Sequence, residues 1–488
     1  MSTIRLSRRR FLQKSSQLSL ASAAAVNSIG MLGLLGASQS LSDANDHKAL
    51  VYIMLLGGND SYNMLVPTGD NQLRRNYETH RGAVALPEAG LHSLHLTIPA
   101  KVYAGAGNAT TNSTEFAMHP ACPAMAELFN NGELAVICNT GNLIQPTSKA
   151  QFDNGSVALP PQLFSHSDQQ RQLQSEPTNP FRYGWGGGMA ERLADYNSDN
   201  NVSPLIAVGG LNSFQVTQEG LINTYTLGDS GAPSLDGFAG GRQQILEASM
   251  QSIDSQAHLM AQKYRDTFDA AIKAQTVVQG AFTQAESLGV DYDGIFAAAG
   301  AVASDRSTQR LITVAKMIAG RSLTTNQRPV YFLEIHGFDT HQKLLSDHQD
   351  LMAELNAALK GFRDVLVAQG DFDKVLTVVG SEFARTMTPN GEDAEAGTDH
   401  AWGGHSMVMG GMVNGGQLFG THPDLELDQG LDTGRGRWIP TTSNSQCSAV
   451  MAHWMGVPQS NLNALFPSLD NFDSPFDATT TLDFIAST

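Results

Sequence analysis

Three stretches of the chain share one pattern of apolar and polar positions. Ala49 to Leu56 is a continuous apolar run that ends at Gly57-Gly58-Asn59-Asp60. Val330 to Ile335 leads into His336-Gly337-Phe338-Asp339-Thr340-His341, and Val375 to Val379 into Gly380-Ser381-Glu382-Phe383. Unbroken runs rich in β-branched and aromatic residues predict strands buried on both faces, as in parallel sheets. Each run ends at a carboxylate, and open α/β sheets place their sites at the carboxyl ends of strands. The pattern therefore predicts one convergent polar site. Leu134 to Cys138 adds a further strand. From Lys343 to Val367 the period changes, with Leu344, Leu351, Leu355, Ala358, Phe362 and Val365 forming a helical stripe. His348 falls on that stripe and reads as a packed histidine. The fold class predicted is α/β, a doubly wound and mostly parallel sheet with helices on both faces.

Between these elements the signals are weaker. Residues 68 to 118 are rich in Gly, Asn and Thr and read as long surface loops. Pro120 suits a first helical turn, which would set His119 at a helix N-terminus, a place that favours anions. Phe164 to Gln170 is a dense polar cluster. Its Ser165, His166 and Asp168 have the composition of a catalytic triad, but sequence neighbours seldom supply that geometry. Gly184-Trp185-Gly186-Gly187-Gly188 follows no strand, so a tight packing turn is a better reading than a dinucleotide fingerprint. Residues 200 to 322, helix-rich from 251 onward, read as an inserted cap. The rest of the chain, 45 to 488, reads as one α/β domain.

Charge narrows the function. Thirty basic side chains stand against 47 acidic ones, a formal net charge of −17, and backbone recognition of nucleic acid needs the opposite excess. Ser7-Arg8-Arg9-Arg10-Phe11-Leu12-Gln13-Lys14 ahead of an apolar stretch reads as a twin-arginine signal over residues 1–40. This predicts passage through the twin-arginine translocase and a periplasmic or secreted location. Those forty residues hold five positive charges and no acids, so cleavage would move the net charge from −17 to −22. No later segment is apolar enough for a stable membrane span. The three cysteines, Cys122, Cys138 and Cys447, are too few for a disulfide framework, although a Cys122–Cys138 bridge stays open.

Taken together, the motifs resemble the DUF1501 family, which is placed in the alkaline phosphatase–sulfatase-like superfamily. The matching residues are Leu56-Gly57-Gly58-Asn59-Asp60, Met118-His119-Pro120, Leu163 to Gln169, Gly184-Trp185-Gly186-Gly187, Gly337 to His341, Ser381 to Thr386, Thr398-Asp399-His400 and Arg437-Trp438-Ile439-Pro440. The resemblance implies metals bound at strand ends. By position, Asp60 matches the first metal-binding Asp, and Asp339 with His341 match a later Asp and His. Glu382 takes the place of the acid in an Asp-His pair, and His400 or His405 matches the last ligand. Two positions depart from the superfamily. Phe383 stands where a histidine is expected, and no Ser, Thr or Cys occupies the nucleophile position, where His119 is nearest. The sulfatase motif Cys-x-Pro-x-Arg is absent at Cys122-Pro123-Ala124.

Carboxylate and imidazole ligands suit a divalent metal, Zn or Mn, with one ion favoured over two by Phe383. The expected metal ligands are Asp60, Asp339, His341, Glu382, His400 and His405. His119 is the candidate nucleophile or anion binder, and Arg385 is a candidate clamp for a substrate anion. The leading expectation is an exported metal-dependent hydrolase of phosphate or related esters. A degenerate member that binds a small anionic or polysaccharide ligand, and an envelope assembly factor, stay open beside it.

Overall fold

The computed structural model describes residues 46–105, 110–180, 183–197, 202–220, 222–231, 240–253, 257–477 and 482–486. The expected export signal lies outside these residues. The first apolar run forms β1 (Ala49–Leu56), in the interior of an eleven-stranded sheet. In chain order there follow β2 (Ala100–Tyr103), β3 (Thr110–Ser113), β4 (Leu134–Gly141), β5 (Leu205–Val208) and β6 (Tyr225–Leu227). Next come β7 (Val330–His336), β8 (Val375–Ser381), β9 (Gly404–Met409), β10 (Leu418–His422) and β11 (Thr442–Ser443). The spatial order is β3-β2-β10-β4-β9-β8-β1-β7-β5-β6, with β11 paired to β4. Among the described residues, antiparallel pairing in this sheet is confined to β3 and β9.

Burial on both faces explains the unalternating strand sequences. Ala49, Val51, Ile53 and Leu55 of β1 enter one core, while Leu50, Tyr52 and Met54 enter the other. The helices used below are α1 (Gln72–Arg81), α2 (Pro123–Asn130), α3 (His166–Gln174), α4 (Trp185–Arg192), α5 (Leu259–Ser287), α6 (Arg306–Ala319), α7 (Leu344–Gln369) and α8 (Asn444–Met455). The first core is closed by α2, α6 and α7 through Phe129, Leu311, Val314, Leu355 and Phe362. The second is closed by α4 and α8 through Trp185, Met189, Cys447 and Met451. Helices cover both faces, so the sheet is doubly wound as expected. Each such buried apolar side chain contributes about 1.5–3 kcal/mol relative to exposure.

The register then fixes where the site must lie. Leu56 pairs with His336 and Leu55 with Ser381, so β1, β7 and β8 end level at one edge. β7 and β8, consecutive in the chain, flank β1 on opposite sides. That reversal is a topological switch point, where such sheets open a crevice.

Several local expectations are corrected. Residues 68–118 are not all loop. They hold α1, whose Leu73, Tyr77 and Arg81 are buried at four-residue spacing, and strands β2 and β3. The helix after His119 starts only at Pro123, with Cys122 as N-cap, because Pro123 takes the first helical position. His119 therefore caps nothing. The glycines after Gly184 lie within α4, where a Cβ on Gly187 would sit 2.2 Å from the Val216 carbonyl oxygen. Residues 200–322 are helix-rich but are not a separate cap. β5 and β6 extend the main sheet, and α6 buries Leu311 and Val314 in its core. All three cysteines are buried thiols, so no Cys122–Cys138 bridge forms.

Candidate metal centre

Four segments meet beyond the level ends of β1, β7 and β8. The turn after β7 carries Asp339 and His341, and the segment after β8 carries Glu382, Phe383 and Arg385. Backbone bonds from Ala384 N to Trp402 O, Ala401 N to Ala384 O and Thr386 N to Asp399 O hold Asp399 and His400 alongside Arg385. The fourth segment is the start of α3, which delivers His166.

Arg385 is fully buried and fixes Asp339. Its Nη1 donates to Asp339 Oδ1 at 2.8 Å and to the Gly57 carbonyl at 3.2 Å, and its Nη2 donates to the Thr398 carbonyl at 2.5 Å. The glycine after β1's turn is required by packing. A Cβ on Gly58 would lie 2.4 Å from the Phe383 ring, and its φ of +82° is costly for any other residue. Phe383 in turn packs against two imidazoles, 4.8 Å from the His166 and His400 ring centroids, which are themselves 4.2 Å apart.

Three imidazoles turn the same nitrogen toward Asp339. His166 Nδ1 donates to Glu382 Oε1 at 2.8 Å, His341 Nδ1 to Asp399 Oδ1 at 3.0 Å, and His400 Nδ1 to the Phe164 carbonyl at 2.8 Å. With each Nδ1 proton so engaged, the Nε2 lone pairs face inward. His341 Nε2 lies 3.0 Å from Asp339 Oδ1 and 3.0 Å from His400 Nε2. His400 Nε2 lies 3.2 Å from Asp339 Oδ1, and His166 Nε2 lies 3.4 Å from Asp339 Oδ2. His166 Nε2 is buried and has no hydrogen-bond partner. His166, Asp339 and His400 offer ligand atoms all within 4.8 Å of one another. These three acceptors repel one another unless a cation lies between them, and His341 Nε2 stands beside Asp339 and His400 outside that group. Bonds of about 2.0–2.1 Å to a tetrahedral zinc would space ligand atoms by roughly 3.4 Å, so the donor set fits such an ion.

The surroundings set the charges. Burial pushes the Asp339 carboxyl up, but the Arg385 hydrogen bond and charge outweigh it and leave its pKa below the usual value. Glu382 shows the same balance, with bonds from His166, Gln170 and the Gly57 N–H overcoming burial. Asp399 is likewise pulled down to about 2, chiefly by Arg435 and His341 acting against burial. All three carboxylates are thus ionised. The bond to Glu382 raises the His166 pKa, while burial lowers that of His400. Phe164 holds a left-handed backbone, φ +71°, that is strained for an aromatic residue and presents its carbonyl to His400.

The family model described as "Protein of unknown function (DUF1501)" matches residues 47–433. The chain belongs to the DUF1501 family. No curated protein matches it. Among solved structures, the chain is similar to the lipoteichoic acid synthase LtaP from Listeria monocytogenes, with 8% identity and a TM-score of 0.31 over 79% of this chain and 72% of that one. It is also similar to Ps i-CgsB in complex with k-i-k-neocarrahexaose, with 10% identity and a TM-score of 0.33 over 88% of this chain and 77% of that one.

Within this DUF1501 chain the expected site residues divide into two groups. Asp339, His341 and His400 converge, with Glu382 behind His166 and Arg385 behind Asp339. Arg385, being fully buried and spent on these acceptors, positions Asp339 rather than gripping a ligand. Asp60 stands apart from the converging ligand atoms. It is fully buried in an ion pair with Arg81, accepts from Asn63 N at 3.2 Å and takes the Thr398 hydroxyl at 3.2 Å. His405 accepts from Asn139 N at 3.1 Å and packs 5.0 Å from the His422 ring. Burial and the nearby His422 drive its pKa well below the usual value. His119 accepts from Ala121 N at 3.0 Å and is lowered to about 3 by burial and by His348. Neither of these two imidazoles faces Asp339. The residue missed in sequence is His166. Its signal was the polar cluster at Phe164–Gln170, in which a serine N-cap opens α3.

Proposed function

We propose that this protein is a hydrolase dependent on one divalent metal, acting on phosphate or related esters. The observation that carries the proposal is the convergence of three imidazole Nε2 atoms on Asp339 with every Nδ1 proton already donated. Carboxylate, carbonyl and carboxylate partners behind the three imidazoles are the arrangement that orients metal-binding histidines and raises their basicity. His166, Asp339 and His400 would hold the ion, with His341 Nε2 beside them, and zinc or manganese suits such a set. When bound, the metal supplies Lewis acidity and lowers the pKa of a coordinated water. The chain's own groups prepare the site. Arg385 keeps Asp339 ionised and aimed, Glu382 and Asp399 fix two imidazole tautomers, and Phe383 packs against the rings of His166 and His400. The side chain of Asp339 is 46% exposed and that of His341 43%, so the ligands are open to substrate.

Among the described residues, no serine, threonine or cysteine side chain is hydrogen-bonded to His166, Asp339, His341 or His400. Burial pushes the Cys122 thiol up, and its Sγ faces the Met352 carbonyl. A water nucleophile and direct displacement therefore complete the reading. Export in folded form through the twin-arginine translocase to the periplasm or beyond belongs to the same proposal, supported by Ser7 to Lys14. Among the described residues, no helix is long and apolar enough to cross a membrane. The test is elemental mass spectrometry of the folded protein, paired with hydrolysis of p-nitrophenyl phosphate and bis-p-nitrophenyl phosphate. About one equivalent of metal per chain, lost in Asp339→Ala together with hydrolysis, is expected. Absence of metal after reconstitution with zinc and manganese would overturn the proposal.

A further inference from the structure

The edge of the sheet that carries the metal centre also opens into a cleft of about 1260 Å³. It lies at the carboxyl ends of β2, β4 and β10, where Tyr103, Leu143 and Thr421 line it. None of His166, Asp339, His341 and His400 does so. Its volume exceeds the roughly 300–1,000 Å³ of pockets built for compact small molecules, which points to an extended ligand.

The lining chemistry narrows the class. Thr110, Thr111 and Gln429 supply neutral donors and acceptors, and Tyr103 and Phe472 supply aromatic surface. Lys149 is the one cation among the described lining residues, and its ammonium is paired with Asp153 at 3.3 Å. The lining acids are Asp424 and Glu426, and burial raises the pKa of Asp424, weakening the case for a cationic ligand. Neutral polar groups beside aromatic faces match a ligand that has hydroxyl edges and apolar C–H faces. We propose that this cleft binds an uncharged oligosaccharide, at a site separate from the metal centre.

Calorimetric titration of the full chain tests this with cellohexaose, chitohexaose and maltohexaose as neutral probes. Hexagalacturonate and spermine serve as charged ones. At least one neutral hexasaccharide should bind, with equal affinity after EDTA treatment and in Asp339→Ala. Tyr103→Ala should weaken that binding by about tenfold or more. Tyr103 is nearly buried and its loss could disturb the fold, so Thr111→Trp is the second variant. Thr111 is exposed on an edge strand, and a bulky ring there should weaken binding by about tenfold or more without moving the thermal midpoint. The proposal is overturned if no neutral hexasaccharide binds at millimolar concentration, if hexagalacturonate or spermine binds more tightly, or if Thr111→Trp leaves binding unchanged.

Discussion

Replacing Asp60 with alanine separates a stabilising carboxylate from a metal ligand. Asp60 and Arg81 are both fully buried and ion-paired. Without the carboxylate, Arg81 keeps hydrogen bonds to the Thr386 carbonyl at 3.1 Å and Asn63 Oδ1 at 3.1 Å but has lost its counter-charge. Breaking a buried pair from one side costs about 3–5 kcal/mol. The unit from Lys48 to Thr488 has roughly 440 residues, which at about 2.1 cal/mol/K each gives an unfolding entropy near 0.9 kcal/mol/K. The thermal midpoint should therefore fall by about 3–5 °C. Metal content, measured by elemental analysis on the same zinc-reconstituted sample, should match wild type. Asp339→Ala should do the reverse and empty the site, because Arg385 retains the Gly57 and Thr398 carbonyls. If Asp60→Ala loses the metal while its midpoint holds, Asp60 is a ligand and the assignment above is refuted.

Three further outcomes follow from the same geometry. Asp399→Asn removes the anionic acceptor behind His341 and should weaken metal binding by about 10–100-fold in a competition titration. Its partly exposed pair with Arg435 is worth about 1 kcal/mol, so a large fall in thermal midpoint would show a structural role instead. Phe383→Ala leaves a cavity beside the His166 and His400 rings and should cost about 3–5 kcal/mol in denaturant unfolding. Unchanged metal affinity in that variant would remove Phe383 from the positioning of the ligands. The last outcome concerns acid. Burial holds His348 and His422 at about 4, below the 6.5 of the unfolded chain. The unfolded state then binds more protons, so stability is full above pH 6.5 and falls as pH drops toward 4. Each histidine should cost about 2 kcal/mol by pH 5. His422→Phe should flatten the slope of stability against pH between 6.5 and 4, and an unchanged slope would exclude His422 as a source.

Much of the architecture was legible because it rests on local patterns. The unalternating runs of β1, β7 and β8 signal burial on both faces, and the stripe on α7 carries its own period. Their shared strand-end acids pointed to Asp339 and Glu382, which lie beside the imidazoles, and equally to Asp60, which pairs with Arg81 instead. What escaped depends on distant pairings. His166 reaches Glu382 across 216 positions of sequence, and no local pattern announces that. Arg81 lies in a stretch whose Gly, Asn and Thr content concealed an amphipathic helix, so the partner that claims Asp60 was invisible. His405 was promoted by its place in a motif, whereas the pleat of β9 turns its ring against Tyr62 and His422.

The assembly of the centre from His166, Asp339 and His400 also bears on order in time. An ion held by the first and last of these would close a loop of more than two hundred residues, and the entropy of closing it would be recovered only after the strands between them have paired. Such an ion would act as a late clasp rather than a nucleus. It should dock onto a sheet already formed, slow the reopening of the turns around Asp339 and His400, and make their resistance to proteases depend on metal concentration. A chain stripped of metal should then keep its sheet and lose order first where the four segments meet.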